Sequence, residues 1–196
     1  GGTRYIFTAL GLASCRWRQL SSNVRQQNGV IVVVREFRTA KAEDFVPLKR
    51  MLELYQYEIS DMYDQDLDAL GEYGYDLTRH LEGKRFFAHV VLVDGRYAGF
   101  ALVAPAIVTQ TEGYWMEQFF ILKKYRRSNL GAELARSVFQ SHPGPWEVGQ
   151  MPTNFPAQAF WRKVIAYTTA GSYTEVQVTE GWWRGIVQRF IYDAAA

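Results

Sequence analysis

Thiols are all but missing from this chain, whose 196 residues include a single cysteine, Cys15. One cysteine excludes an internal disulfide and leaves too few thiolates for a zinc cluster. Histidine is scarce as well. His80, His89 and His142 lie far apart at no metal-ligand spacing, so each reads as a core or surface residue and no metal is expected. An excess of one charge is also lacking: the formal net charge of +2 argues against a nucleic-acid binder driven by bulk electrostatics. There is no apolar stretch of membrane-spanning length and no internal repeat, so neither a membrane partner nor a solenoid is expected. Apolar residues are plentiful, at 48% hydrophobic and 15% aromatic, enough for one domain of ordinary size to bury a proper core.

The most informative stretch is Lys124-Tyr125-Arg126-Arg127-Ser128-Asn129-Leu130-Gly131-Ala132-Glu133-Leu134-Ala135, directly after the apolar run 115–122. It predicts a strand, a short basic loop rich in small residues, and a helix with Leu130, Leu134 and Val138 on one face. Such a loop presents free backbone N–H groups and the positive end of a helix dipole, which together suit a pyrophosphate. Further on, 146–151 reads as another strand. A helix follows, opened by Asn154 as cap with Pro156 in its first turn.

The first segment resembles motif A of the GNAT superfamily of N-acetyltransferases, Arg/Gln-x-x-Gly-x-Gly/Ala. Arg126 takes the first place and Gly131 the last, while Asn129 stands where the middle glycine usually is; Asn tolerates a left-handed backbone better than most residues. The second segment, with Asn154, Ala157 and Phe160, is similar to motif B of the same family. The resemblance implies an α/β (α+β) GNAT fold: a central mixed, mostly antiparallel twisted sheet of about seven strands with about four flanking helices. The sheet is expected to splay at the strands before and after the phosphate-loop helix. The resemblance also implies acetyl-coenzyme A as cosubstrate, with no metal, held by Phe119, Phe120, Ile121, Arg126, Arg127, Ser128, Asn129, Leu130, Gly131, Ala132, Asn154 and Phe160.

The remaining pattern follows the family's order of elements. Residues 31–37 are β-branched and strand-like, and 44–59 place Phe45, Leu48, Leu52, Tyr55 and Ile59 on one helical face. Two strands, 86–93 and 96–103, flank Asp94-Gly95, a hairpin signal. Strands are also expected at 174–179 and 186–192. The acetyltransferase domain is accordingly set at 30–193. Residues 1–29 have no clear periodicity and read as an N-terminal extension or poorly packed arm. Within them, 5–13 and Cys15 bear a passing likeness to a lipoprotein signal.

Acetyl transfer to an amine needs a neutral nucleophile, a polarised thioester carbonyl and a proton for the leaving thiolate. The resemblance gives the carbonyl to backbone N–H groups at 119–121. Glu117, among Tyr114, Trp115, Phe119 and Phe120, is the expected general base, since aromatic surroundings raise a carboxyl pKa by desolvation; the other reading is a strand-edge Glu paired with Lys or Arg. Gln118 is placed on the opposite strand face. The family's usual acidic Tyr is here Trp161, whose indole N–H donates a hydrogen bond but gives up no proton, so Tyr167 is the candidate general acid.

The segment 58–68 with Glu72 and Asp76 is densely acidic and interleaved with Tyr63, Tyr73 and Tyr75. If it lines a cleft, it favours a small cationic amine such as a polyamine or an aminoglycoside-like amine, or a lysine side chain; otherwise it is a solvated loop. Trp182 and Trp183 fit either a wall of that pocket or a contact in a homodimer. The leading expectation is an acetyl-coenzyme A-dependent N-acetyltransferase that acts on a small primary amine in a ternary complex, in the cytoplasm where its cosubstrate is found. Acetylation of a protein lysine or N-terminus, and a non-catalytic acyl-coenzyme A sensor, are the alternatives.

Overall fold

A computed structural model of the chain describes residues 33–106 and 108–193, together with the backbone of a short hairpin at 25–27 and 30–32. The lipoprotein-like stretch at Cys15 lies outside the described residues. Two compact units divide between Val32 and Val33. In the first, β1 (Arg25–Gln27) pairs antiparallel with β2 (Val30–Val32). The strand expected over 31–37 is therefore broken, because β3 (Arg35–Thr39) belongs to the sheet of the second unit. A β-branched run favours extended backbone without saying which partner the ladder takes.

In the second unit β3 is followed by a 3-10 turn, Ala42–Asp44, and then by α1 (Phe45–Tyr63). Asp44 is fully buried and fixes this junction by accepting hydrogen bonds from the Arg38 guanidinium at 2.5 and 2.9 Å, the Lys41 amide at 2.6 Å and the Tyr97 hydroxyl at 2.5 Å. Asp64, in a left-handed conformation, ends α1. The one-turn α2 (Thr78–Leu81) leads to β4 (Phe87–Val93) and β5 (Arg96–Pro105). Asp94 and Gly95, with φ of 49° and 72°, make the expected two-residue turn between them. Next come β6 (Tyr114–Ile121), α3 (Leu130–Ser141), β7 (Gly144–Gln150), α4 (Phe155–Thr168), β8 (Thr174–Val178) and β9 (Gly185–Tyr192).

The seven strands lie in the order β3-β4-β5-β6-β7-β9-β8, antiparallel throughout except for β6 against β7. Apolar side chains fill both faces. Leu48, Met51 and Leu52 of α1 pack on Val90, Phe100, Leu102 and Phe120, while α3 and α4 cover Val91, Ala101, Val103 and Trp146 on the other side. Burial on both faces explains why β4 and β5 read as continuous hydrophobic runs instead of alternating. The fold matches the expected mixed, mostly antiparallel sheet with helices on either side.

Two departures from a regular ladder prepare a site. β6 and β7 pair only at Tyr114–Trp146, Trp115–Glu147 and Met116–Val148, and beyond Met116 they splay. On its other edge β6 shifts register against β5, with Leu102 opposite Gln118 and Val103 opposite Met116. Glu117 is thus the extra residue of a β-bulge, a device that re-aims side chains at the point where pairing ends.

Candidate active site

The loop before α3 is built as an anion nest. Arg127 and Asn129 have φ of 62° and 64°, which turns successive amides to one side, and the N-terminus of α3 lies directly behind. The amides of Leu130, Gly131 and Ala132 donate to no group among the described residues. Gly131 is close-packed: a Cβ there would lie 3.3 Å from the Phe160 ring, which would have to give by a few tenths of an ångström. Asn154 caps α4 as expected, its side-chain oxygen accepting from the Ala157 amide at 3.1 Å.

These elements enclose a cleft of about 830 Å³. Phe119, Phe120, Ile121, Arg126, Arg127, Asn129, Leu130, Gly131, Ala132, Asn154, Phe160 and Tyr167 all line it, as do Tyr55, Glu58 and Ile59 of α1. Ser128 stands apart and donates its hydroxyl to the Tyr125 carbonyl at 2.7 Å. Arg126 is held in place by the Ile121 carbonyl at 2.7 Å and by both oxygens of Glu58 at 2.6 and 2.7 Å. The α1 residues went unrecognised in the sequence as cleft residues. Their helical period put Tyr55 and Ile59 on the buried face, but not over a gap in the sheet.

A second cavity, of about 560 Å³, opens on the other side of the bulge. Its walls are Gln56, Ile59, Tyr63 and Gln65, then Arg79, Arg85 and Phe86, then Ala104, Pro105, Trp115, Glu117, Gln118, Trp182 and Trp183. Glu117 and Gln118 both face it, contrary to the expectation of opposite strand faces, because the bulge breaks the alternation. Of the acidic segment 58–76 it receives only Ile59, Tyr63 and Gln65. Three of the carboxylates expected there are engaged elsewhere. Asp68 accepts from the Leu70 and Glu72 amides, Asp76 from the Thr78 amide, and Glu72 pairs with Lys49. Part of the segment's acidity therefore serves its own turns, and none of its carboxylates lines this cavity.

A narrow space of about 110 Å³ lies between the two cavities, exactly where β6 and β7 part, bordered by Met116, Glu117 and Phe119 on one side and Gly149, Gln150 and Met151 on the other. Tyr55 and Tyr63 close it from α1, and Trp161 from α4. Trp161 is buried against Phe119 with ring centroids 4.9 Å apart. Tyr167, by contrast, is 76% exposed in the last turn of α4, with the Arg136 guanidinium 5.4 Å from its ring centre.

Glu117 is mostly shielded, but its company is not only aromatic. Arg79 donates to one carboxylate oxygen, and His80 Nε2 stands 2.6 Å from the other. The His80 ring is fully buried, and its Nδ1 has no partner among the described residues. In contact with a carboxylate, Nε2 is the nitrogen that carries the proton. His80 and Arg79 thus hold Glu117 in one orientation and leave lone pairs on both its oxygens. Among the described residues no group of three or more His, Cys, Asp or Glu stands together to hold a metal, and no helix is long and apolar enough to cross a membrane.

Several solved structures that share this architecture are described as acetyltransferases. An acetyltransferase from Thermus thermophilus is 14% identical, with a TM-score of 0.56 over 81% of this chain and 97% of that one. The PaiA N-acetyltransferase of Thermoplasma acidophilum, in complex with coenzyme A, is 13% identical, with a TM-score of 0.55 over 81% and 99%. An aminoglycoside acetyltransferase from an uncultured soil metagenomic sample, in complex with sisomicin, is 14% identical, with a TM-score of 0.54 over 76% and 95%. No curated protein matches the chain. The model of the acetyltransferase (GNAT) family matches residues 51–167, which span the bulge, the nest and both motif helices; with more than half of its length matched, the chain belongs to that family.

Proposed function

We propose that this protein is an acetyl-coenzyme A-dependent N-acetyltransferase that passes its acetyl group to a small primary amine by direct attack, with both substrates bound at once. The observation that carries this reading is the convergence of two cavities on one carboxylate: Glu117 borders the acceptor cavity and the narrow space leading to the cleft. A cavity of about 560 Å³ has the size of a single small molecule.

The nest residues fit a diphosphate, since it takes up amides that otherwise have no acceptor and sits beside Arg126 and Arg127. Acetyl-coenzyme A brings an activated thioester. Everything else falls to the chain. Where β6 leaves β7, the backbone N–H groups it turns toward β7 have no ladder partner in that strand and are free to polarise a carbonyl. Glu117 takes the proton of the attacking amine, directly or through water, while His80 and Arg79 keep it aimed. The leaving thiolate needs a donor near the narrow space. Tyr55 borders both that space and the cleft, and its ring is seated on Phe120 and Phe100 at 5.6 and 6.1 Å. Burial pushes the Tyr55 phenol well above its ordinary pKa, so it stays protonated and can hydrogen-bond the departing thiolate. Tyr167 borders the cleft alone, so Tyr55 is the better placed of the two. A cytoplasmic setting accords with the supply of this cosubstrate.

The test is release of free coenzyme A thiol from acetyl-coenzyme A across a panel of primary amines, with mass spectrometry of the products. Thiol release that depends on the amine and yields an N-acetyl product is the expected result. Tight binding of acetyl-coenzyme A with no amine-dependent turnover would instead point to a sensor.

A further inference from the structure

The acceptor cavity carries an unanswered positive charge. Its lining includes two guanidinium groups, Arg79 and Arg85, and one carboxylate, Glu117. Glu117 is spent on Arg79, whose guanidinium also lies 4.7 Å from the centre of the Phe86 ring. Arg85, the next residue but five along the chain, is exposed at the cavity and has no ion pair or hydrogen bond among the described residues. No carboxylate among the described residues forms an ion pair with Arg85; Glu53, Asp68 and Asp76 cap backbone amides and Glu72 holds Lys49.

The rest of the cavity wall is flat and apolar. Trp115 and Trp183 meet edge to face with centroids 5.3 Å apart. Trp183 is fixed there by two glycines, since a Cβ on Gly149 or Gly185 would run into its ring at 2.6 and 2.8 Å. Phe86 and Trp182 complete the aromatic surfaces. Such walls select a planar body, and an unpaired guanidinium beside them selects an anion. One uncompensated unit charge matches a carboxylate, whereas a phosphate monoester would bring nearly two negative charges.

From this arrangement we infer that the acceptor is a primary amine built on an aromatic ring that also bears a carboxylate, its ring against the tryptophan wall, its amine toward Glu117 and its acid read by Arg85. The inference rests on the proposed amine acetylation at the same cavity. It runs against the polycationic acceptor expected from the sequence, which would meet Arg85 with like charge.

The test compares 4-(aminomethyl)benzoate with its uncharged isostere 4-(aminomethyl)benzamide and with spermidine, in the wild type and in Arg85→Gln. The benzoate should exceed the benzamide in kcat/KM by at least about tenfold, and the advantage should fall to within about twofold in Arg85→Gln. A benzamide or spermidine that serves as well as the benzoate, or an advantage that survives Arg85→Gln, overturns the inference. Calorimetric binding of the same two aryl amines to the coenzyme A-loaded protein keeps the outcomes apart. Preferential binding of the benzoate, lost in Arg85→Gln, upholds the anion site even if no amine is acetylated, in which case only the proposed activity fails.

Discussion

His89 Nε2 and His142 Nε2 stand 2.8 Å apart in the core, joining the middle of β4 to the residue that ends α3. Both rings are buried, and that of His142 is surrounded by Phe87, Tyr114 and Trp146. One nitrogen must donate and the other accept, so the contact exists only while at least one ring is neutral. Burial, and then the charge of His142, push His89 down to about 4, and burial lowers His142 as well.

The sign of the pH dependence follows. Folding holds both rings neutral, so the unfolded chain binds more protons once the pH drops below its ordinary histidine value. Stability is fully present above about pH 6.5 and declines as the pH falls, by up to about 1.4 kcal/mol per pH unit for His89 down to about pH 4, with His142 acting in the same direction. Urea unfolding at about pH 7.5 and 5 should show the loss, and His89→Gln, which keeps a hydrogen-bonding side chain without the titration, should flatten it. A wild type equally stable at both values would contradict this account.

Arg126 is shared between the cleft and Glu58. Arg126→Ala should weaken coenzyme A binding by about 1–3 kcal/mol, because a charge-assisted contact is lost. Glu58→Gln releases the same guanidinium from a competitor. The pair is partly exposed, so its strength is at most about 1 kcal/mol and the gain in affinity at most about fivefold. Isothermal titration on the two variants, with shifts in opposite directions, is the check.

For Glu117→Gln the expected effect is on rate alone. Turnover should drop by about 10²–10⁴-fold, while the dissociation constant of acetyl-coenzyme A stays near the wild-type value because the nest lies elsewhere. Rapid-quench rates and equilibrium binding on one preparation separate the two, and an undiminished rate would remove Glu117 from the mechanism.

Two phenols can be set against each other. Tyr55→Phe should slow turnover by about tenfold or more if it supplies the thiolate's proton. Tyr167→Phe, at the exposed end of α4, should cost far less. Repeating both with a better thiol leaving group sharpens the comparison, since a true proton donor matters less as the thiolate becomes more stable.

Gly149→Ala tests the wall. The added methyl would strike the Trp115 ring and come 2.6 Å from Trp183 Cζ2, and the fused rings have no flexible end to move aside. Overpacking of this kind costs about 1–3 kcal/mol of stability, and displacing Trp183 should raise KM for the amine more than KM for acetyl-coenzyme A. Equal effects on the two would place Trp183 outside the acceptor cavity.

Much of this was legible in the chain because it is encoded locally. Asn154 ahead of Pro156, and Asp94 beside Gly95, each determine a cap or a turn within a few residues, and the structure places both where the sequence indicated. The nest was equally local. What escaped was set by register and by approach across the sheet. Gln118 shares a cavity with Glu117 only because Val103 skips a residue in pairing with β6. His80 reaches Glu117 from 37 positions away, and no spacing rule connects a one-turn helix to a strand beyond it. Composition could not choose between the two readings of the acidic segment: Asp68 and Asp76 bond to neighbouring amides, and none of its carboxylates lines the second cavity.

The turn through Arg127 and Asn129 offers main-chain nitrogens, an atom that every residue type possesses. Substitution can therefore rewrite most of the letters around it while the grip it supplies persists, and an alignment registers little of what is retained. Solved structures at 13 or 14% identity keep the same architecture over three quarters or more of this chain. On the proposed function, a new acceptor then needs only a handful of changed wall residues, while the turn through Arg127 and Asn129 stays as it is.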